Sequence, residues 1–341
     1  MRAFVITGPG QAGVRDLEPP EPGPGQVVVD VERAGVCGTD VEFWTGHMVY
    51  LRTGEASYPV RIGHEWCGTV TGAGDEAGAA WLGQRVTGDT MLGCRHCQRC
   101  RSGRQHLCAD RYEIGIRGGW PGALAEQLLV PVTALLPLPD EAGPTAGALV
   151  EPGGNALRAV RATGVAEGVA AGRRLLIIGP GTIGLLSALI ARAQGADVHL
   201  LGQTERSLRF ARSLGFAQTW VHDTLPDGLF DAIIDASTGA DSAALAASLI
   251  EPGGRIAFIG LSSEPSLLDT RQLVLKDVTA TGVLSASGGL AETISLYAAG
   301  AVDPTPIVAA TVGLDEAATV LAGRRPLEWG DAPKVHIDPK R

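Results

Sequence analysis

Cysteine, histidine and glutamate stand in this chain at spacings that suit metal ions. The run Arg61-Ile62-Gly63-His64-Glu65-Trp66-Cys67-Gly68 sets an imidazole beside a carboxylate between two glycines, in a chain with only seven histidines. Cys37 lies upstream in Gly35-Val36-Cys37-Gly38-Thr39-Asp40, and Glu151 downstream in Leu149-Val150-Glu151-Pro152-Gly153. Thiolate, imidazole and carboxylate are the ligand types of a catalytic zinc that keeps one position open. Taken alone, His64 and Glu65 are equally consistent with a buried histidine beside a surface acid, and Cys37 with a small packed side chain.

A second cluster is more specific. Cys94, Cys97, Cys100 and Cys108 follow a C-x2-C-x2-C-x7-C spacing. Four thiolates in one lobe close a tetrahedron around Zn²⁺ and leave no open site, which is the structural kind of zinc centre. Disulfides are disfavoured, because cysteines three apart make strained short loops and a chain of this length needs no staples. His96 and His106 are rival ligands, but four cysteines already complete the shell. Arg95, Arg99, Arg101 and Arg104 either offset the charge of a zinc tetrathiolate or form an ordinary solvated face. Of the six cysteines, only Cys67 is then left over, and it reads as packing.

A third motif binds phosphate. The apolar run Leu175 to Ile178 leads into Gly179-Pro180-Gly181-Thr182-Ile183-Gly184, then into the helix-compatible run Leu185 to Ala193 and a second apolar strand ending at Leu201. Strand, G-x-G-x-x-G, helix and strand in one unit form a dinucleotide-binding fingerprint, with the pyrophosphate on the helix N-terminus. The end of the second strand reads the adenosine ribose, and an NAD site usually puts an acid there. This chain has Gly202, then Gln203-Thr204-Glu205-Arg206. Glycine leaves room for a 2′-phosphate, and Gln203, Thr204, Arg206 and Arg209 supply donors. Glu205 dissents, and is expected to pair with Arg209 and point away. The reading favours NADP over NAD, the alternative being a turn glycine in a dual-specificity site. Ser237, in the loop after the strand Asp231 to Asp235, suits cofactor approach.

Two scaffolds are needed to hold these groups. The first 150 residues read as short strands and glycine-rich turns, including Val27 to Ala34, Gly68 to Gly74 and Leu82 to Val86, as in a small, partly closed barrel. From Arg173 onward strands and helices alternate, the pattern of a doubly wound parallel sheet. The fold class is α/β, with a catalytic zinc-binding unit over 1–152 and 290–341 and a dinucleotide-binding unit over 153–289. The helix Leu290 to Ala301, the helix Leu314 to Ala322 and the strand Lys334 to Ile337 are expected to return to the first unit. A length of 341 residues suits two such domains. A net charge of −9 argues against a nucleic-acid partner. No apolar run approaches the ~18 residues of a membrane span, and the N-terminus reads as a strand rather than a signal peptide. Reduced thiols imply a cytoplasmic setting.

With these motifs in this order, the chain resembles the zinc-dependent medium-chain alcohol dehydrogenases over essentially its whole length. Cys37-Gly38-Thr39-Asp40, Glu151-Pro152 and Gly154-Asn155-Ala156 are similar to the polyol (sorbitol) and threonine dehydrogenase branch. The resemblance implies a GroES-like catalytic domain joined to a Rossmann domain, two zinc ions per chain, and a homodimer or homotetramer. It implies that Cys37, His64 and Glu151 hold the catalytic zinc, with Glu65 a near or alternating ligand. Thr39 would be the first proton acceptor from a substrate hydroxyl while hydride passes to the nicotinamide. One departure is Glu42, where many relatives place a proton-relay histidine, so Glu42, His47 or solvent completes the relay. Tyr50, Arg52 and Glu55, in the segment Phe43 to Tyr58, either line a polar substrate pocket or lie on a surface loop. The implied function is hydride transfer at a secondary alcohol or ketone of a polar, polyhydroxylated small molecule: a sugar, polyol, cyclitol or amino alcohol. The alternatives are NADPH-dependent carbonyl reduction in biosynthesis and a non-catalytic nucleotide-binding zinc protein.

Overall fold

The computed structural model describes residues 1–165 and 172–341. Two large sheets organise it. In the six-stranded sheet the neighbours run Thr219–Trp220, Asp197–Leu201, Arg174–Ile178, Phe230–Asp235, Ile250–Phe258 and Thr279–Gly282, all parallel. In chain order that is 3-2-1-4-5-6, the doubly wound arrangement expected from the alternation of strands and helices. Its central strand reads Leu175-Leu176-Ile177-Ile178 without polar alternation because both faces are covered, and these four residues are buried.

The other sheet is mainly antiparallel and has seven strands, six in its main order with Gln26–Gly35 and Glu65–Ala73 at its centre, and Gln127–Pro131 pairing with Gln26–Gly35 off that order. It curls around Val27, Val29, Val31, Phe43, Trp66, Leu124 and Leu128, which form a separate core from that of the parallel sheet. Close strand approach here depends on Gly68, where an added Cβ would lie 2.2 Å from the Asp30 carbonyl oxygen.

The end of the chain returns to the antiparallel sheet, whereas the helix Leu290–Ala298, expected to return with it, buries Leu290, Ile294 and Tyr297 in the core of the parallel sheet. Val308–Val312 and Lys334–Ile337 add to the antiparallel sheet, the latter pairing with the end of Gln26–Gly35. The helix Leu290–Ala298 packs on the helix Val150–Ala162, at glycines that permit it: a Cβ on Gly153 would stand 2.1 Å from the Tyr297 hydroxyl. Helix Val150–Ala162 runs unbroken through the boundary expected at residue 152, because the Glu151-Pro152 pair falls in its first turn, where proline is tolerated. The helix expected over Leu314 to Ala322 is a 3-10 turn, Leu314–Glu316, followed by the helix Ala317–Leu321.

Candidate active site

Strand Gln26–Gly35 delivers Cys37 to the N-cap of the helix Gly38–Thr45. The first turn of that helix also carries Asp40, fully buried, whose carboxylate accepts from the Cys37 backbone N–H (2.8 Å) and the Gly63 N–H (3.2 Å). One side chain therefore fixes both segments that supply ligands. His64 Nδ1 stands 3.7 Å from Asp40 Oδ1 and has no hydrogen-bond partner among the described residues. A carboxylate behind one ring nitrogen is the usual means of orienting a metal-ligating histidine.

Glu65 begins the strand Glu65–Ala73 opposite Gly35. The absence of a side chain at Gly35 is what admits it, since a Cβ there would lie 2.0 Å from Glu65 Oε2. Ligand atoms of Cys37, His64 and Glu65 all lie within 4.8 Å of one another. Glu151 is outside that group but buried beside it, and accepts from Asn155 Nδ2 at 2.8 Å, one helical turn on.

Lys334 was not singled out by the sequence motifs. Its ammonium, 3% exposed, donates to both oxygens of Glu65 at 2.7 Å and to the Val36 carbonyl at 3.0 Å. A signal did exist: only three of the 28 basic residues are lysine, and this one sits in an apolar strand.

The electrostatics report a surplus of buried anions. Burial opposes the Lys334 charge, but Glu65, Cys37 and Asp40 outweigh it and hold the ammonium above its ordinary range. Burial likewise opposes charging of His64, and Asp40, Cys37 and Glu151 reverse that, raising it well above the ordinary imidazole value. Burial pushes Glu151 up to about 7, with His64 pulling the other way and Glu65 adding to the rise. A site that draws a proton onto its imidazole and onto a carboxyl has room for cationic charge. A divalent ion held by the thiolate, the imidazole and a carboxylate would supply it and displace those protons. The donor set fits zinc.

The four-cysteine lobe fits zinc as well. Cys94 and Cys100 Sγ are 4.0 Å apart, and Cys97 and Cys108 Sγ 3.9 Å. A tetrahedron with Zn–S near 2.3 Å has edges of about 3.8 Å. Backbone N–H groups of Cys94, Cys97 and Cys100 each point at a neighbouring sulfur, at 3.4–3.5 Å. Such donors, from Cys97 and His96, lower the Cys94 thiol to about 6. His96 turns instead to the Cys94 carbonyl. Of the arginines, Arg99 donates to the Leu107 carbonyl and Arg104 to Ser102 Oγ, so backbone dipoles are the charge donors seen at the sulfurs. Cys67 is buried and its thiol pushed up to about 12 by that burial, as a packing cysteine should be.

On the parallel sheet, Gly181 caps the helix Thr182–Ala193 without a side-chain acceptor, leaving the first N–H groups for an anion. A Cβ on Gly181 would meet nothing within 4 Å, so the space above it is open. On Gly184 it would meet the Gly179 carbonyl oxygen at 2.0 Å, so that glycine lets the helix touch its strand. These are the two separate reasons a dinucleotide site needs glycine, and Ile183 lies between them. Ser237 donates to Asp235 (2.8 Å) in the loop facing Gly179.

Gly202 plays a different part from the one expected. Its missing Cβ makes way for Leu208 (2.9 Å) and Ser207 (3.0 Å) of the helix Glu205–Ser213, so the glycine serves helix packing. Thr204 caps that helix, accepting from the Ser207 N–H. Glu205 pairs with Arg212, two turns on, rather than with Arg209. Arg206 and Arg209 both face Asp331. In the segment after Phe43, Tyr50 donates to Glu113 and accepts from Arg111, and Glu55 pairs with Arg117. Those polar groups are spent on each other, and Arg52 is exposed.

Comparison with known proteins agrees with this geometry. Residues 23–140 match the alcohol dehydrogenase GroES-like domain, and residues 182–299 the zinc-binding dehydrogenase domain. L-threonine 3-dehydrogenase of Saccharopolyspora erythraea is 33% identical over 83% of both chains, and that of Deinococcus radiodurans 30% identical over 83% of this chain and 82% of its own. A crystal structure of a zinc-binding dehydrogenase from Sinorhizobium meliloti bound to NADP superposes with a TM-score of 0.87 at 28% identity, covering 99% of each chain. The chain belongs to the zinc-dependent medium-chain alcohol dehydrogenases, on the threonine and polyol dehydrogenase branch. It is an NAD(P)-dependent oxidoreductase of small hydroxylated molecules. No helix among the described residues is long and apolar enough to cross a membrane.

The Lys334–Glu65 pair generates a test. Lys334→Met strands a buried carboxylate and should cost about 3–5 kcal/mol in denaturant unfolding of zinc-stripped protein. Adding Glu65→Gln should recover most of that loss, whereas additive losses would contradict the pair.

Proposed function

We propose that this enzyme oxidises a secondary alcohol of a polar small molecule, a sugar, polyol, cyclitol or amino alcohol, with NADP favoured over NAD. The observation that carries the reading is the convergence of Cys37, His64 and Glu65 within 4.8 Å beside the buried Glu151. The relatives from Saccharopolyspora erythraea and Deinococcus radiodurans are threonine dehydrogenases, and threonine carries a hydroxyl beside an amino group, which supports that substrate class. The relative solved with NADP supports the cofactor, as do Gln203, Thr204 and Arg206 after the second strand.

Cys37, His64 and Glu151 would hold the catalytic zinc, with Glu65 in reserve, and the four cysteines a second, structural zinc. The zinc supplies a Lewis acid that makes a hydroxyl easier to deprotonate, and the nicotinamide supplies the hydride acceptor. The protein does the rest. Asp40 orients His64, Asn155 restrains Glu151, and Lys334 holds Glu65. Thr39 is half-buried in the same helical turn as Asp40, and its hydroxyl has no protein partner among the described residues. It accepts the substrate proton. Glu42 lies one turn along the same helix, with its carboxyl pushed up by burial and drawn down by His47, so a proton passing Thr39 meets a carboxyl and an imidazole on the way to solvent.

In this reading the catalytic unit is the antiparallel sheet, completed by the strands Val308–Val312 and Lys334–Ile337, and the cofactor unit is the parallel sheet with the helices Val150–Ala162 and Leu290–Ala298 packed on it. The compartment is cytoplasmic, where the thiols of the lobe stay reduced. The chain assembles with copies of itself through the edge strand Thr279–Gly282, which has one neighbour in its sheet and follows directly on the helix Thr270–Leu275, whose Val274 and Leu275 are each about four-fifths exposed. Light scattering should then return a dimer or a multiple of it, and Val274→Glu with Leu275→Glu should lower that mass; an unchanged mass rejects this edge.

The function is tested by initial rates of reduced-nicotinamide formation across sugars, polyols, cyclitols and amino alcohols, each with NAD and NADP. A response to one hydroxyl pattern is expected, with Thr39→Val lowering kcat by about 10²- to 10⁴-fold at unchanged cofactor affinity. Silence with both cofactors in zinc-loaded protein would sink the reading.

A further inference from the structure

Three arginines gather around one carboxylate at the outer end of the proposed ribose site. Arg206 and Arg209 lie three residues apart on one face of the helix Glu205–Ser213. Arg206 Nε donates to Asp331 Oδ1 at 2.7 Å, and Arg209 Nη2 stands 3.6 Å from Asp331 Oδ2. The third is Arg325, on the same C-terminal segment as Asp331. It is close enough to Arg206 and Asp331 for both charges to act on it, and its guanidinium donates to the Ala332 and Pro333 carbonyls. Its Nε is buried without a hydrogen-bond partner.

The bond crosses the molecule. Arg206 belongs to the helix after the second strand of the parallel sheet, whereas Asp331 lies three residues before Lys334 in the antiparallel sheet. The two oxygens of one carboxylate face two guanidiniums, the arrangement a phosphate monoester would make with the same pair. Three arginines against one aspartate leave a net positive charge of about two, matching a phosphate monoester at neutral pH. Arg206 and Arg209 remain more than half exposed, so a ligand can reach them.

We propose that the Asp331 carboxylate is an internal stand-in for the 2′-phosphate of NADP. It occupies Arg206 and Arg209 in the free protein, yields them to the phosphate, and stays in place when the cofactor is NAD. This rests on the reading of an NADP site after Gly202, and adds two residues to it. Asp331 is a competitor that tempers affinity for the phosphorylated cofactor, and Arg325, on the segment leading into the strand Lys334–Ile337, is an arginine that the phosphate meets once Asp331 leaves. Exposed ion pairs are weak enough to exchange in this way. Release of Asp331 also frees residues 323–333 from the helix Glu205–Ser213, so the segment's mobility reports which cofactor is bound.

The test uses the full chain and adenosine 2′,5′-bisphosphate, with 5′-AMP as the probe lacking the 2′-phosphate. Calorimetric Kd values are measured for the wild type, Asp331→Asn and Arg206→Gln. The proposal expects Asp331→Asn to bind the bisphosphate about three- to tenfold more tightly, with the gain shrinking at high salt and 5′-AMP unaffected. Independently of any variant, the bisphosphate should increase hydrogen exchange in residues 323–333 of the wild type, and 5′-AMP should not. Unchanged or weaker bisphosphate binding by Asp331→Asn overturns the stand-in, as does exchange that stays flat or slows. If the wild type prefers the bisphosphate, and Arg206→Gln removes that preference, these outcomes defeat the stand-in alone. If the wild type shows no preference and Arg206→Gln changes nothing, the NADP reading fails and takes the stand-in with it.

Discussion

Three carboxylates, Asp40, Glu65 and Glu151, are buried within reach of one imidazole and one ammonium, and that concentration of charge is the constraint the rest of the structure serves. An uncompensated buried carboxylate is costly, so each is given a specific partner. Asp40 takes two backbone N–H groups, Glu151 takes Asn155, and Glu65 takes Lys334. The last pairing depends on the chain's return to its first sheet after residue 308: the strand Lys334–Ile337 lies beside Gln26–Gly35, and that places its lysine on Glu65. What still lacks a counter-charge is the space between Cys37, His64 and the carboxylates, which a divalent ion would fill.

Much of this was legible from local sequence, because the constraints involved are local. Zinc-lobe cysteines must fall within a few residues of each other to share an ion, and the glycines of the dinucleotide motif must sit between one strand and one helix. Both appear as fixed spacings. His64 and Glu65 stand out because glycines frame them in the sequence, and Gly35 and Gly68 are glycine because side chains or carbonyls press on them.

Partner choice across the fold was not legible. Lys334 lies 269 residues from Glu65, and no spacing rule connects them. Glu205 was assigned to Arg209 by the one-turn rule for helices, yet Arg212 takes it while Asp331 draws Arg209 to the other side. Gly202 was given a role in ligand space because the cofactor reading needed one, although the neighbour that demands glycine is Leu208 of the following helix. For Tyr50 and Glu55 the sequence leaves pocket and surface open, because it does not reveal that Glu113, Arg111 and Arg117 engage them. In each case a contact made by packing decides what local spacing leaves open.

Two chemically distinct metal centres, one open and one closed, are the central claim. Its most direct test is the zinc content per chain of purified protein, wild type beside Cys37→Ser, with circular dichroism to verify the fold. The account predicts two zinc ions in the wild type and one in the folded variant, the remaining ion held by the four cysteines. Two ions retained by a folded Cys37→Ser protein, or a single ion in an active wild type, would contradict it.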